Sequence, residues 1–121
     1  MTTRLLYVDD EEDIREVALM ALELEPGFEV CACSSGEEAL AAAPDWSPAL
    51  IMLDVMMPRM DGPTTLTKMR EMPELASTPV VFVTARTQAA ERERLLELGA
   101  AGVIAKPFDP MTLAANVRAF L

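Results

Sequence analysis

Histidine is absent from the 121 residues. That excludes a Ser-His-Asp triad, a Cys-His pair, a histidine-ligated zinc and a phosphohistidine carried by this chain. Cysteine is scarce: Cys31 and Cys33 are the only two. They are expected to be buried, reduced thiols on opposite faces of a strand, unable to bridge. Long apolar runs are missing as well. Ala49–Leu53 and Val80–Val83 are among the longest, whereas a membrane-spanning helix needs about 20 apolar residues. No apolar signal-peptide core precedes Asp9 and Asp10, so the expectation is a cytoplasmic protein with no membrane partner. Positive charge is in short supply, with 10 basic residues against 20 acidic and a net charge of −10. Such a chain repels phosphate backbones, so direct nucleic-acid binding is not expected. The same field favours divalent cations and basic partner surfaces.

What is present is ordinary for one globular domain: 51% hydrophobic and 25% charged residues. Short apolar runs alternate with longer amphipathic segments. Leu5–Val8 stops at Asp9-Asp10. Ile14, Val17, Ala18, Ala21 and Leu22 then recur at helical spacing, with Asp13 as N-cap and Pro26-Gly27 as terminator. Phe28–Cys33 reads as a second strand. Ser35 and Glu38 have capping-box spacing before a helix that Pro44 is expected to close. Ala49–Leu53 ends at Asp54, and Asp61-Gly62-Pro63 turns into a helix from Thr64 to about Met72. Val80–Val83 ends at Thr84, and a charged helix from Gln88 to Leu98 stops at Gly99. Gly102–Ala105 ends at Lys106. Asp109-Pro110 opens a last helix with Leu113, Val117, Phe120 and Leu121 facing inward. Strands apolar throughout are covered on both faces, the mark of a parallel sheet. The expected class is therefore α/β, an open doubly wound fold of five β–α units. A single domain over residues 1–121 is expected, with no output domain in this sequence.

Right-handed crossovers place all strand C-termini along one edge, where ligands sit. Asp9, Asp10, Asp54, Thr84 and Lys106 all stand at strand ends. Each alone is an ordinary turn, cap or surface residue. Together they bring acid, acid, hydroxyl and ammonium to one crevice. Carboxylates ~4 Å apart repel by about 4 kcal/mol at an effective dielectric near 20. A cationic side chain, a proton or a metal must relieve them. The candidate ligands are hard oxygens, which selects Mg²⁺ or Mn²⁺ over zinc or copper. Mg²⁺ takes one or two carboxylates plus phosphate oxygens, so the site suits a metal and a phosphoryl group together.

The motifs Tyr7-Val8-Asp9-Asp10, Leu53-Asp54-Val55-Met56-Met57-Pro58-Arg59-Met60-Asp61-Gly62, Val83-Thr84-Ala85 and Lys106-Pro107-Phe108 carry a resemblance. The chain resembles a response-regulator receiver domain of two-component signalling, of the chemotaxis-regulator type, from about Leu5 to Leu121. The resemblance implies a flavodoxin-like (βα)5 fold with sheet order 2-1-3-4-5. It implies that Asp54 is the phospho-acceptor, taking its phosphoryl group from a sensor histidine kinase or histidine phosphotransfer protein. Asp10 resembles the direct Mg²⁺ ligand, Asp9 one acting mainly through water, and the Met56 backbone carbonyl completes the set. Thr84 and Lys106 would each bind a phosphoryl oxygen and report its arrival, and the small Ala85 leaves room for donor or water. The Lys106-Pro107 bond resembles the family's cis peptide. An unidentified output partner, or a second copy, would use the face of the fourth helix, fifth strand and fifth helix.

One position departs from the family. Three residues before the lysine most receivers carry an aromatic that swings with the threonine, and here Val103 stands there. Valine is stiff at χ1 and has no ring to swing. Met56 at the mouth either shields an acyl phosphate or is inert. Trp46 reads as packing, and Arg86 with the Glu91-Arg92-Glu93-Arg94 run as a solvated helix face or a contact surface. Two other readings compete. A haloacid-dehalogenase-like phosphatase also uses an aspartate nucleophile and Mg²⁺, but wants a second carboxylate where Met56 stands. A receiver that never takes phosphate and serves as a fixed interaction module needs none of the acceptor-site residues that are present.

Overall fold

The computed structural model describes residues 2–121. Six-residue β1 (Thr3–Val8) leads to α1 (Glu12–Glu23), and β2 (Phe28–Cys33) to α2 (Gly36–Trp46). Then come β3 (Leu50–Asp54) with α3 (Gly62–Arg70), β4 (Val80–Thr84) with α4 (Ala89–Glu97), and β5 (Gly102–Ala105) with α5 (Leu113–Arg118). A single 3-10 turn, Pro73–Leu75, lies between α3 and β4. The sheet order is β2-β1-β3-β4-β5, and all pairings are parallel. This is the expected doubly wound, flavodoxin-like arrangement. The order reverses between β1 and β3, and that switch point is where a crevice opens in such sheets.

Alternation along the strands divides the core in two. Leu5, Tyr7, Leu50, Met52, Val81 and Val83 pack with Ala18, Leu22, Leu113 and Val117, so α1 and α5 cover one face. Leu6, Val8, Ile51, Leu53, Val80 and Phe82 pack with Ala39, Leu66, Met69 and Leu95 on the other. β3 and β4 are buried along their whole length, as their unbroken apolar sequences require. Cys31 and Cys33 pack on the same face of β2, against α2. This corrects the expectation of opposite faces, because residues two apart in a strand share a face. Both thiols are free, and Cys31 is only half-buried. Burial, then the neighbouring Cys31 and Glu38, push the Cys33 thiol up to about 12, which makes it inert at neutral pH.

Several element ends differ from the sequence expectation. Asp13 lies inside α1, whose N-cap is Glu11. The Glu11 N–H donates to Asp9 Oδ1 at 3.0 Å, so the loop is held by the strand-end aspartate instead. Pro44 does not close α2, which runs on to Trp46. The indole Nε1 of Trp46 donates to the Leu5 carbonyl at 3.0 Å while Arg4 stacks on the ring, and this anchor carries the last turn past the proline. Ser35 caps α2 as expected, accepting from Glu38 N–H at 3.0 Å, but the Glu38 carboxylate meets the Ser34 hydroxyl. Asp61 caps α3 through Thr64 N–H at 2.9 Å, with Pro63 in the first turn. α5 begins at Leu113, and Asp109 instead holds a turn by accepting from Met111 N–H at 2.8 Å. Val17 and Leu121 face solvent, at 41% and 50% exposure. No helix among the described residues is long and apolar enough to cross a membrane.

Candidate functional site

β1 and β3 are neighbours in register, Val8 opposite Leu53. The residues that follow, Asp9 and Asp54, therefore emerge side by side at the C-terminal edge. β3 pairs Asp54 with Val83 of β4, and β4 pairs Thr84 with Ala105 of β5. Each register brings the next chemical group to the same edge. Carboxylate oxygens of Asp9, Asp10 and Asp54 all lie within 4.8 Å of one another. Asp9 and Asp54 are buried, and Asp10 is exposed.

Lys106 closes the cluster. Its ammonium lies 2.8 Å from Asp9 Oδ2, 3.3 Å from Asp54 Oδ2 and 3.7 Å from Glu11 Oε1. The following peptide bond, Lys106-Pro107, is cis. Asp9 is held further by the Tyr7 hydroxyl, which donates to Oδ2 at 3.1 Å. Its backbone carbonyl accepts from Arg15 Nη1 at 2.9 Å. Burial, then the adjacent Asp9 charge, push the Asp54 carboxyl up to about 7 against the pull of Lys106. Burial draws the Lys106 ammonium down, but its hydrogen bond to Asp9 and the charges of Asp54 and Asp9 outweigh this and leave it above its usual value. Burial and the Asp9 carboxylate raise Tyr7, so it stays a neutral donor.

Thr84 is buried, and its Oγ1 accepts from Arg86 N–H at 3.0 Å. Asp54, Met56, Thr84, Ala85, Arg86, Lys106 and Glu11 line a cleft of about 140 Å³. Among the described residues no buried side-chain nitrogen or oxygen is left unpartnered. The backbone under Asp54 is fixed by Gly62. Its N–H donates to the Val55 carbonyl at 2.8 Å. A Cβ at this position would collide with the Asp54 carbonyl oxygen, so only glycine allows α3 to start so close to β3.

The chain matches the response regulator receiver domain family over residues 5–118. It belongs to that family. The transcriptional regulatory protein SrrA of Staphylococcus aureus is 40% identical over 121 residues, covering 100% of this chain and 48% of that protein. This receiver thus spans about half the length of the curated relatives it matches. Among solved structures, the chemotaxis response regulator CheY4 of Vibrio cholerae superposes with a TM-score of 0.92 at 31% identity, over 100% of both chains. The signal receiver domain of a histidine kinase from Syntrophus aciditrophicus gives 0.84 at 31% identity, over 99% of this chain and 90% of that one. Receivers are signalling switches of two-component systems rather than conventional enzymes, and membership implies dealings with a histidine kinase and an output partner.

The receiver's strand-end residues Asp9, Asp10, Asp54, Thr84 and Lys106 come together as their positions required. Met56 points to solvent at 61% exposure, on the cleft rim. Val103 is buried and lies away from the cleft, lining a separate groove of about 520 Å³ with Arg92, Phe108, Asn116 and Phe120. Glu91 and Arg94 pair at 2.6 Å on the outer face of α4. Sequence reasoning missed Glu11, Arg15 and the Tyr7 hydroxyl as site residues. Tyr7 was within reach, because it stands two residues before Asp9 and so shares its face. Glu11 and Arg15 depended on how α1 leaves the strand.

Proposed function

We propose that this receiver is a phosphorylation-activated switch of the cytoplasm in which Asp54 is the phospho-acceptor. The donor is the phosphohistidine of a sensor histidine kinase or a histidine phosphotransfer protein, and the reaction depends on Mg²⁺. The observation that carries the reading is the Lys106 ammonium 3.3 Å from Asp54 Oδ2, on a cleft that Thr84 and Ala85 also line.

The carboxylate trio suits a hard divalent cation, Mg²⁺ or Mn²⁺, since its donors are oxygens with no thiolate among them. Asp10, Asp54 and the Met56 backbone carbonyl would hold it directly, and Asp9 mainly through water. When bound, it supplies positive charge against the phosphoryl oxygens. The protein groups do the rest. An Asp54 oxygen attacks phosphorus in line, the P–N bond breaks, and its electron pair returns to the imidazole nitrogen. Lys106 is placed to donate to one phosphoryl oxygen. The Thr84 hydroxyl, whose oxygen accepts from Arg86 N–H, keeps its own proton to donate to another. The acyl phosphate carries roughly 1.5 to 2 negative charges where the carboxylate carried one, a net gain of up to about one. Thr84 and Lys106 are pulled toward it, and α4, β5 and α5 carry the change to an output partner or a second copy. Residues 1–121 act as one receiver domain, without membrane or nucleic-acid contact of their own.

Acetyl phosphate with Mg²⁺ tests the reading, with intact mass and peptide mapping as the readout. One phosphoryl group on Asp54, lost in Asp54→Asn and on chelation, is the expected result. Turnover of the donor without a stable label would point to a phosphatase. No labelling at all would leave a fixed interaction module.

A further inference from the structure

In-line attack by Asp54 places the donor's leaving group on the side of phosphorus away from the carboxylate, at the cleft mouth. The chemistry available there is limited. Asp54 and Thr84 are buried at the base, while Glu11, Met56, Ala85 and Arg86 are exposed at the rim. The side chains of Met56 and Ala85 offer a ring N–H no useful acceptor, and the Arg86 side chain is a cation that repels another. Glu11 supplies the rim's side-chain acceptor. Its carboxylate is already drawn inward, with Oε1 3.7 Å from Lys106 Nζ. Its backbone N–H is tied to Asp9 Oδ1 at 3.0 Å, so the residue has a fixed root and a largely exposed head held by that one long ion pair.

A second cavity offers one side from which a donor could approach. A groove of about 430 Å³ runs beside the cleft, lined by Ile14 and Val17 of α1, Pro107 and Phe108. Glu11, Ala85 and Lys106 line both spaces. Small Ala85 and the Glu11 side chain thus stand between the two spaces. A ligand seated in the groove and reaching toward Asp54 must pass the Glu11 carboxylate.

Resting on the reading of Asp54 as acceptor, we propose that Glu11 is a specificity-determining residue that selects imidazole-borne phosphoryl donors over carboxylic ones by holding the far ring N–H of the leaving imidazole. A phosphoimidazole leaves best with that far nitrogen protonated. The ring is then cationic until the P–N bond breaks, and it departs as neutral imidazole with the far N–H still in place. One P–O bond forms on Asp54, one P–N bond is lost, and no proton needs to move. The Glu11 carboxylate stabilises the cationic ring by a charge-assisted hydrogen bond. Acetyl phosphate has no N–H and no positive charge, and its departing acetate is repelled by the same group.

The test uses the whole chain with two small donors, monophosphoimidazole and acetyl phosphate, each at saturating Mg²⁺. The labelling rate of Asp54 is measured for the parent, Glu11→Gln and Glu11→Ala. Changes in metal affinity or in the reach of Lys106 act on both donors and cancel in the ratio of rates. The ratio of monophosphoimidazole to acetyl phosphate rates is expected to fall by about three- to tenfold in both variants. Glu11→Asp should recover part of it. A ratio unchanged from the parent would overturn the proposal while leaving Asp54 as acceptor. A parent that neither donor labels would overturn the acceptor reading, and this inference with it.

Discussion

The Lys106 ammonium sits closer to Asp9, at 2.8 Å, than to Asp54, at 3.3 Å. In the resting protein its first partner is therefore the neighbouring acid. On the proposed reading, an arriving phosphoryl group would compete with Asp9 for this cation, and a metal that neutralises Asp9 would release it. Lys106 would then link the occupancy of the carboxylate cluster to the shape of the β5–α5 loop.

Lys106→Met keeps the apolar stem and removes the charge, leaving Asp9 and Asp54 to face each other with no cation. Breaking a buried pair on one side is costly. The metal-free variant is expected to lose about 2 kcal/mol in urea unfolding. Mg²⁺ should stabilise it more than it stabilises the parent. Equal gains from Mg²⁺ in both proteins would show that Lys106 does not shield the pair.

The metal-free protein should lose stability as pH rises through the Asp54 transition. The Asp54 carboxyl titrates near 3.8 in an unfolded chain and at about 7 when folded, so the folded form holds a proton that the unfolded one has released. Its contribution is complete below about 3.8 and is lost as pH rises to about 7. Asp54→Asn lacks this dependence. The stability of the variant minus that of the parent should grow by roughly 1–3 kcal/mol between pH 4 and 8. A flat difference across that range would refute the assignment.

Gly62→Ala should disturb the site from beneath. The added Cβ meets the Asp54 carbonyl oxygen, the Val55 Cα and the Phe82 ring, and two of these are backbone that cannot turn aside. A loss of about 1–3 kcal/mol is expected, with slower labelling of Asp54 by acetyl phosphate. Parent-like stability would mean that α3 shifts freely relative to β3.

Val103→Tyr restores a ring where most receivers have one. The groove of about 520 Å³ beside it gives the ring space without disturbing the core. Stability within about 1 kcal/mol of the parent is expected, with unchanged Asp54 labelling and altered affinity for the output partner. Equal partner binding by both proteins would show that the missing aromatic has no consequence.

The fold was legible because its signals are local. Five apolar runs each end in a chemical residue or a turn, and the segments between them carry helical spacing and caps such as Ser35 and Asp61. Where local signals misled, a distant contact had prevailed. α2 passes Pro44 because Trp46 is anchored on Leu5. α1 starts before Asp13 because Asp9 holds the Glu11 amide. The sharing of one face by Cys31 and Cys33 was within reach, because it follows from strand alternation alone.

By itself, the sequence determined which groups could act: hard oxygen ligands, one hydroxyl, one ammonium and no imidazole, all set at strand ends that a doubly wound sheet must gather on one edge. Tertiary structure alone decided how they share one another. Lys106 favours Asp9 over Asp54, Tyr7 supports Asp9 from below, and Glu11 stands between cleft and groove. The reason is physical. Residue type and periodicity are written along the chain, whereas distances among side chains from different strands depend on sheet register and on how each helix leaves its strand.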